Sequence, residues 1–232
     1  MMEFSSRAML AEAMDEPGLD EAVYRRCLAD LAVVNRVTLT HGPTLRWLGR
    51  ATKSWPPGSS IAVLDIGYGQ GDLLRAIAAW AARRGFVAAL SGIDMNPRAA
   101  AAARAADPTQ KIDYRTGDVF AAVLPQRPDF IVTSQLTHHL TSAEILRLLA
   151  WMEAQAQCGW HVADLHRHKA AYYLYPLLAR LMRWNRIVRC DGQISIARSF
   201  IREDWERLLA DINIQAEINW HLLFRYTVSR LK

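Results

Sequence analysis

The chain contains no uninterrupted apolar run of the roughly 18 residues that a membrane-crossing helix needs. Its opening, MMEFSSRAML, lacks an apolar core of signal-peptide length. These absences predict a soluble, cytoplasmic protein with no transmembrane segment. Cysteine is scarce: Cys27, Cys158 and Cys190 cannot all pair internally and none has metal-ligand spacing, so free thiols in a reducing compartment are expected. With 232 residues the chain is too short for two ordinary domains, and at 51% hydrophobic and 22% charged it is too apolar to be disordered. One absence is local. From Arg167 to Arg189 there are six Lys or Arg residues (Arg167, Lys169, Arg180, Arg183, Arg186, Arg189) and no acid. With a net charge of +5 and a pI near 9.3, this suits a solvated helix face, an anionic substrate, an acidic membrane surface or nucleic acid.

What is present is organised around Ile61 to Ala79, IAVLDIGYGQGDLLRAIAA. The β-branched, apolar run Ile61, Val63, Leu64, Ile66 reads as a buried strand, and an apolar-periodic helix begins at about Asp72. Between them stand Gly67, Gly69 and Gly71, which allow a tight turn, close approach of a ligand to the main chain and access to the free N–H groups of the helix start. A dinucleotide fingerprint would place its third glycine at position 72, which is Asp72, so a dehydrogenase is disfavoured. The pattern D-x-G-x-G-x-G instead sets Asp65 in the turn, where a carboxylate repels pyrophosphate but pairs with an ammonium group. At these residues the chain resembles the class I, Rossmann-like S-adenosylmethionine-dependent methyltransferases. The resemblance implies an α/β fold: a seven-stranded sheet with helices on both faces, an N-terminal helical cap over residues 1–58, a methyltransferase domain over 59–232, and a helical lid inserted after strand five at about 168–200.

Two further strand ends agree. A second strand over Phe86 to Ile93 ends in Asp94-Met95-Asn96-Pro97, with the acid 23 residues after Gly71, placed to accept from ribose hydroxyls. A third strand over Lys111 to Thr116 ends in Gly117-Asp118-Val119. The family resemblance implies that Met95 packs beside the adenine, that Asp118 reads its amino group, and that the Val119 N–H meets a ring nitrogen. The expected cofactor set is therefore Asp65, Gly67, Tyr68, Gly69, Gly71, Asp94, Met95, Asp118, Val119 and Gln135, with S-adenosylmethionine as donor and S-adenosylhomocysteine as product.

The acceptor side begins after a fourth strand, Asp129 to Ser134, in Gln135-Leu136-Thr137-His138-His139-Leu140. SQLTHHL resembles the His-Leu or His-His-Leu of small-molecule methyltransferases, the ubiquinone/menaquinone-type (type 11/25-like) ones among them. Imidazole exchanges a proton near neutral pH, so His138 and His139 are candidate bases, and capping of the helix that starts at Thr141-Ser142-Ala143-Glu144 is the alternative role. A fifth strand, Trp160 to Leu165, ends in Asp164-Leu165-His166-Arg167-His168, where Asp164 and His166 are candidates to position or deprotonate an acceptor. Residues 170–188 combine Tyr172, Tyr173, Tyr175, Trp184 and several leucines with arginines, Pro176 acting as a kink or helix start. An aromatic lid favours a small, flat, apolar acceptor (a phenol, a quinol or a polyketide product), and an amphipathic helix meeting a membrane surface is the other use.

The remaining chain is read more coarsely. A short helix is expected over 3–15, a second from Leu19 or Asp20 to about Thr40 that carries Tyr24, Asn35 and Arg36 within reach of the site, and a third over Thr44 to Lys53 after a break at His41-Gly42-Pro43. Asp191-Gly192-Gln193 reads as a turn, Ile194 to Phe200 leads into a helix ending at Ala210, and Ile212 to Trp220 with Leu222 to Leu231 form the last, antiparallel pair. No metal is needed by this scheme. A nucleic-acid methyltransferase is the main alternative, weakened because Ser134-Gln135-Leu136-Thr137 is not an Asn-Pro-Pro-Tyr-type motif. A non-catalytic S-adenosylmethionine-binding regulator is the other. The oligomer is expected to be a monomer or a homodimer.

Overall fold

The structure, a computed structural model, describes residues 4–109 and 111–232. Strand β1 (Ser60–Ile66) explains the architecture, because it is apolar on both faces and so needs cover on both. Ile61 and Val63 join Phe130 and Val132 of β4 (Phe130–Ser134) in one core cluster. That cluster is closed by Trp47 and Leu48 of α2 (Gly42–Ala51), by Leu74 and Ile77 of α3 (Asp72–Arg84) and by Ala99 of α4 (Pro97–Ala106). The alternate residues Leu64, Ile66 and Ile131 face the opposite cluster with Ile145 and Met152 of α5 (Ser142–Gln155) and Trp205 of α8 (Arg202–Asp211). The two-residue period of a strand thus produces the two helical layers.

The remaining strands are β2 (Val87–Asp94), β3 (Asp113–Thr116), β5 (Gly159–Leu165), β6 (Glu217–His221) and β7 (Arg225–Leu231), and the sheet order is β3-β2-β1-β4-β5-β7-β6. β7 is antiparallel to both β5 and β6, and the other pairings are parallel. The order reverses between β1 and β4, so a crevice opens at the carboxyl ends of those two strands. Helix α1 (Glu21–Val37) packs on α4 and on α7 (Arg186–Arg198), and α6 (Lys169–Leu181) packs on α7. Expected local signals are found: Gly85 ends α3 at φ +72°, and Thr141 with Glu144 forms a reciprocal capping box. No helix among the described residues is long and apolar enough to cross a membrane.

Several expectations are corrected. Within 4–15 only Ala13–Asp15 is helical, as a single 3₁₀ turn, and residue 3 lies outside the described residues. The segment is extended because its polar groups bond elsewhere: Ala8 N–H donates to Ala197 O at 3.0 Å, Arg7 Nη2 to Leu140 O at 2.8 Å, and the Ala13 and Met14 N–H groups to Asp191 at 3.0 and 2.9 Å. Asp191-Gly192-Gln193 is no turn but the middle of α7. Gly192 serves close packing there, since a Cβ would lie 2.2 Å from the Tyr175 ring. Pro176 sits inside α6, where it removes the donor for the Tyr172 carbonyl. Gln193 Nε2 donates to that carbonyl at 3.1 Å and offsets the loss. The break between α1 and α2 falls at Thr38–His41, and Gly42-Pro43 already form the first turn of α2, where proline is tolerated. Of the six cations, Arg167 is buried and pairs with Asp204 at 2.8 Å.

His161 has a consequence for stability. It is fully buried, stacked on Trp47 at 5.0 Å between ring centroids, and neither ring nitrogen has a hydrogen-bond partner among the described residues. Burial first, then the charges of His221 and Arg50, lower its pKa to about 3. The unfolded imidazole takes up its proton near its ordinary value and the folded one does not, so stability falls as pH drops below about 6.5. His161→Phe is expected to flatten the fall in Tm between pH 7 and pH 5. The slope is the readout, because the extra volume of phenylalanine acts equally at both pH values.

Candidate active site

The turn after β1 is built by backbone geometry. Gly67, Gly69 and Gly71 have φ of +72°, +53° and +73°, a region that side chains disfavour. Gly71 is doubly constrained, since a Cβ there would lie 2.4 Å from the Tyr114 hydroxyl. Asp94 ties this turn to the end of β2: its Oδ2 accepts from Gly69 N–H at 2.9 Å and its Oδ1 from Asn96 N–H at 2.8 Å. Beneath the turn Asp65 is fully buried, and its Oδ1 has no partner among the described residues. Burial, then the neighbouring charges of Asp72 and Asp94, hold its carboxyl well above the ordinary range. A cationic ligand group would relieve this carboxylate.

A polar chain lines the cavity beside it. Gln135 adopts a left-handed φ of +57°, and its Nε2 donates to Asn35 Oδ1 at 2.6 Å. Asn35 Nδ2 in turn donates to Asp72 Oδ2 at 2.9 Å, and His41 Nε2 meets the same oxygen at 2.9 Å. Burial works against the Asp72 charge, yet the His41 contact and the Asn35 bond hold its carboxyl below the ordinary range. A strained non-glycine residue held by a network marks a preorganised wall.

The segment after β4 supplies a different group. Thr137–His139 form a 3₁₀ turn that brings His138 against the end of β5. His138 Nδ1 is 2.7 Å from Asp164 Oδ1, whose carboxylate also accepts from Thr137 Oγ1 at 2.5 Å, His138 N–H at 3.0 Å and Leu165 N–H at 2.7 Å. Burial opposes the charge, but His138 foremost, with these donors, holds Asp164 down to about 2. Asp164 is therefore an anion that fixes Nδ1 as the protonated nitrogen of His138 and leaves Nε2 free. His139 Nδ1 lies 3.1 Å from Asp15, and Glu12 stands against both rings.

The turn, the polar chain and the two histidines meet at one cavity of about 380 Å³. Of the residues expected at the site, it brings together Asp65, Gly67, Tyr68, Gly69, Gln135, His138 and His139. Gly71, Asp94, Met95, Asp118, Val119 and His166 are not on its wall. Met95 is 75% exposed, and Asp118 accepts from Phe120 N–H at 2.9 Å on the surface, while Val119 is buried in the second core. His166 accepts from Trp220 Nε1–H at 3.2 Å, and burial, then the charges of His168 and Arg167, lower its pKa to about 4. Asn35 reaches the cavity as expected of it, whereas Tyr24 lies under the Arg98 guanidinium and Arg36 is exposed. Glu12, Asp191 and Ser195 also line the cavity and carry no motif.

Residues 44–216 match the family model described as a methyltransferase domain. The chain belongs to this family. The fold agrees with solved methyltransferases of low identity. The plantazolicin methyltransferase BpumL, solved with a pentazolic desmethylPZN analog and SAH, is 14% identical with a TM-score of 0.69 over 90% of this chain and 91% of that one. A SAM-dependent methyltransferase from Aquifex aeolicus is 14% identical with a TM-score of 0.62 over 92% and 98%. The magnesium protoporphyrin IX methyltransferase ChlM from Synechocystis PCC 6803 with bound SAH is 14% identical with a TM-score of 0.56 over 94% and 91%. No curated protein matches the chain in sequence. The methyltransferase is of the S-adenosylmethionine-dependent class, and its residues fit that donor: the Asp65 oxygen without a partner among the described residues suits an ammonium, and the turn offers backbone at Gly69, where a Cβ would have only Leu28 within 4 Å.

Proposed function

We propose that this methyltransferase acts on a hydroxyl oxygen, or an acidic carbon, of a small, largely apolar acceptor of aromatic, quinol or polyketide type. The observation that carries the reading is the buried His138–Asp164 pair, set in a mostly apolar cavity that also contains the glycine turn. S-adenosylmethionine supplies a methyl group activated as a sulfonium. The protein's share is to hold donor and acceptor in line, exclude water and remove one proton. Asp65 accepts from the donor's amino group. Asp94, with both oxygens already anchored to the two turns, retains lone pairs for the ribose hydroxyls. Met95, Asp118 and Val119 are assigned to the adenine. His138 Nε2 takes the acceptor's proton, Asp164 stabilising the resulting imidazolium, and His139 orders the same wall. His166, whose Nδ1 accepts from Trp220, is given no proton-transfer step in this scheme.

Helices α6 and α7 act as the lid and residues 1–58 as the cap. Leu174, Tyr175 and Leu178 of α6 line the cavity and favour a flat apolar ring. The polyazole analog named with BpumL and the porphyrin named with ChlM are ring systems of this kind. On the outer face of α6, Tyr173, Leu177 and Leu181 are exposed beside Arg180 and Arg183, which supports peripheral contact with an anionic membrane for lipid-tailed acceptors.

Calorimetric titration of S-adenosylmethionine and S-adenosylhomocysteine into wild type and Asp94→Ala tests the donor end. Methyl transfer to a panel of phenols, quinols and polyketide pyrones tests the acceptor end. Micromolar binding lost in the variant, with turnover of a panel member, is the expected result; turnover only of nucleic acid or of charged peptides would overturn the acceptor assignment.

A further inference from the structure

At one point the cavity wall gathers two imidazole rings and a carboxyl group. His138 Nδ1 and His139 Nδ1 each lie on a carboxylate, Asp164 at 2.7 Å and Asp15 at 3.1 Å, so the Nε2 of each ring is the nitrogen left for the cavity. Both Nε2 atoms face the same buried carboxylate: His138 lies 3.7 Å from Glu12 Oε1 and His139 3.9 Å from Glu12 Oε2. These separations exceed hydrogen-bond lengths. The donor bound to Glu12 is the Ser195 hydroxyl, at 2.9 Å from Oε1, and it does not separate the three acceptors.

We propose that Glu12, His138 and His139 form a binding site for one divalent transition-metal cation of Zn²⁺-like chemistry, open toward the methyl acceptor. The three ligand atoms lie within 4.8 Å of one another. Metal bonds of about 2.0–2.2 Å put ligand atoms roughly 3–4 Å apart, so little movement is needed. The second observation is the shell behind the ligands. A metal-binding histidine typically gives its other N–H to a carboxylate, and here both do. Arg198 fixes the turn itself, its Nε donating to His138 O and its Nη2 to His139 O, each at 3.0 Å. Two imidazoles and one carboxylate favour a first-row transition ion over Mg²⁺.

Three protein ligands leave a position for an acceptor oxygen. A hydroxyl bound there loses its proton to water near neutral pH, the oxygen keeping the electron pair of the broken O–H bond. His138 is then a ligand in the loaded enzyme and the proton acceptor in the cation-free one. The inference deepens the reading of this wall as the acceptor site and narrows the acceptor to one that offers an oxygen to a metal.

The test uses full-length protein stripped with a chelator and titrated with ZnCl₂ by calorimetry, with Co²⁺ absorption as a second probe of N/O coordination. One equivalent is expected to bind at micromolar Kd or tighter, at least 10-fold weaker in Glu12→Gln and in His139→Ala, and unchanged in His168→Ala, which checks for surface capture. S-adenosylhomocysteine affinity of the same samples reports folding and the donor site separately. Variants that retain that affinity but bind Zn²⁺ as wild type does would overturn the site, as would absence of saturable one-to-one binding in a wild type that binds S-adenosylhomocysteine. If Zn²⁺ binds as expected and S-adenosylhomocysteine does not, the metal site stands and the donor reading falls.

Discussion

Asp65→Asn is expected to weaken S-adenosylmethionine binding about 100-fold or more while raising the Tm of the ligand-free protein by a few degrees. Both effects come from one buried carboxylate with an unpartnered oxygen. In the proposed donor complex it pairs with an ammonium, and removing one partner of a buried charged pair costs about 2–5 kcal/mol, where 1.4 kcal/mol is tenfold in affinity. Without ligand the same carboxylate is desolvated and repelled by Asp72 and Asp94, which raises its pKa well above the ordinary value. The folded state then holds the Asp65 proton longer than the unfolded state, so stability is lost as pH rises above about 4. Asparagine carries no such charge. The difference in Tm between variant and wild type should therefore grow from pH 5 to pH 8, at about 2–4 °C for each kcal/mol in a chain of this size. Thermal scans at the two pH values with calorimetric titration measure it. A variant that is less stable and binds the donor normally would remove Asp65 from the site.

The glycine turn was legible because its geometry is written locally. Gly67, Gly69 and Gly71 announce positive φ, and the acid at each strand end follows from the period of a βα unit, so neighbours in sequence are neighbours in space. The wall that carries His138 and His139 is assembled over long separations. Glu12 meets Ser195 across 183 residues and His139 meets Asp15 across 124, through a segment that bonds to α7 and to the turn after β4. No periodicity records such contacts. Gly192 and Gln193 read as a turn because glycine beside polar residues usually is one. The reason for them lies on another helix, in the Tyr175 ring and the Tyr172 carbonyl freed by Pro176. His138 and His139 were visible as a pair, but Asp164, which separates their roles, lies 26 residues from His138 and on another strand.

Asp164→Asn is the change expected to cost most in turnover, about 10²- to 10⁴-fold in kcat, with S-adenosylhomocysteine affinity retained. The two Asp164 oxygens accept four donors: Thr137 Oγ1 and His138 N–H on Oδ2, His138 Nδ1–H and Leu165 N–H on Oδ1. An asparagine offers one oxygen and one NH₂, so whichever way it turns it sets a donor against two donors. If its oxygen keeps the His138 side, the ring holds its tautomer but loses the anion that stabilises the imidazolium. If its NH₂ takes that side, Nδ1 must become the acceptor and Nε2 carries the proton, which disables it as base and as ligand alike. Stability moves with it. Asp164 is held down to about 2, chiefly by His138 against the opposing effect of burial, so its stabilising contribution is present above the ordinary carboxylate pKa and is lost as pH falls toward 2. At neutral pH the variant should lose about 2 kcal/mol and unfold at a lower temperature, still folded at 25 °C. A double-mutant cycle separates catalysis from folding: in a His138→Ala background, Asp164→Asn should lower kcat little further, because the two act as one unit. Independent, multiplying losses would mean that Asp164 serves the turn and not the histidine.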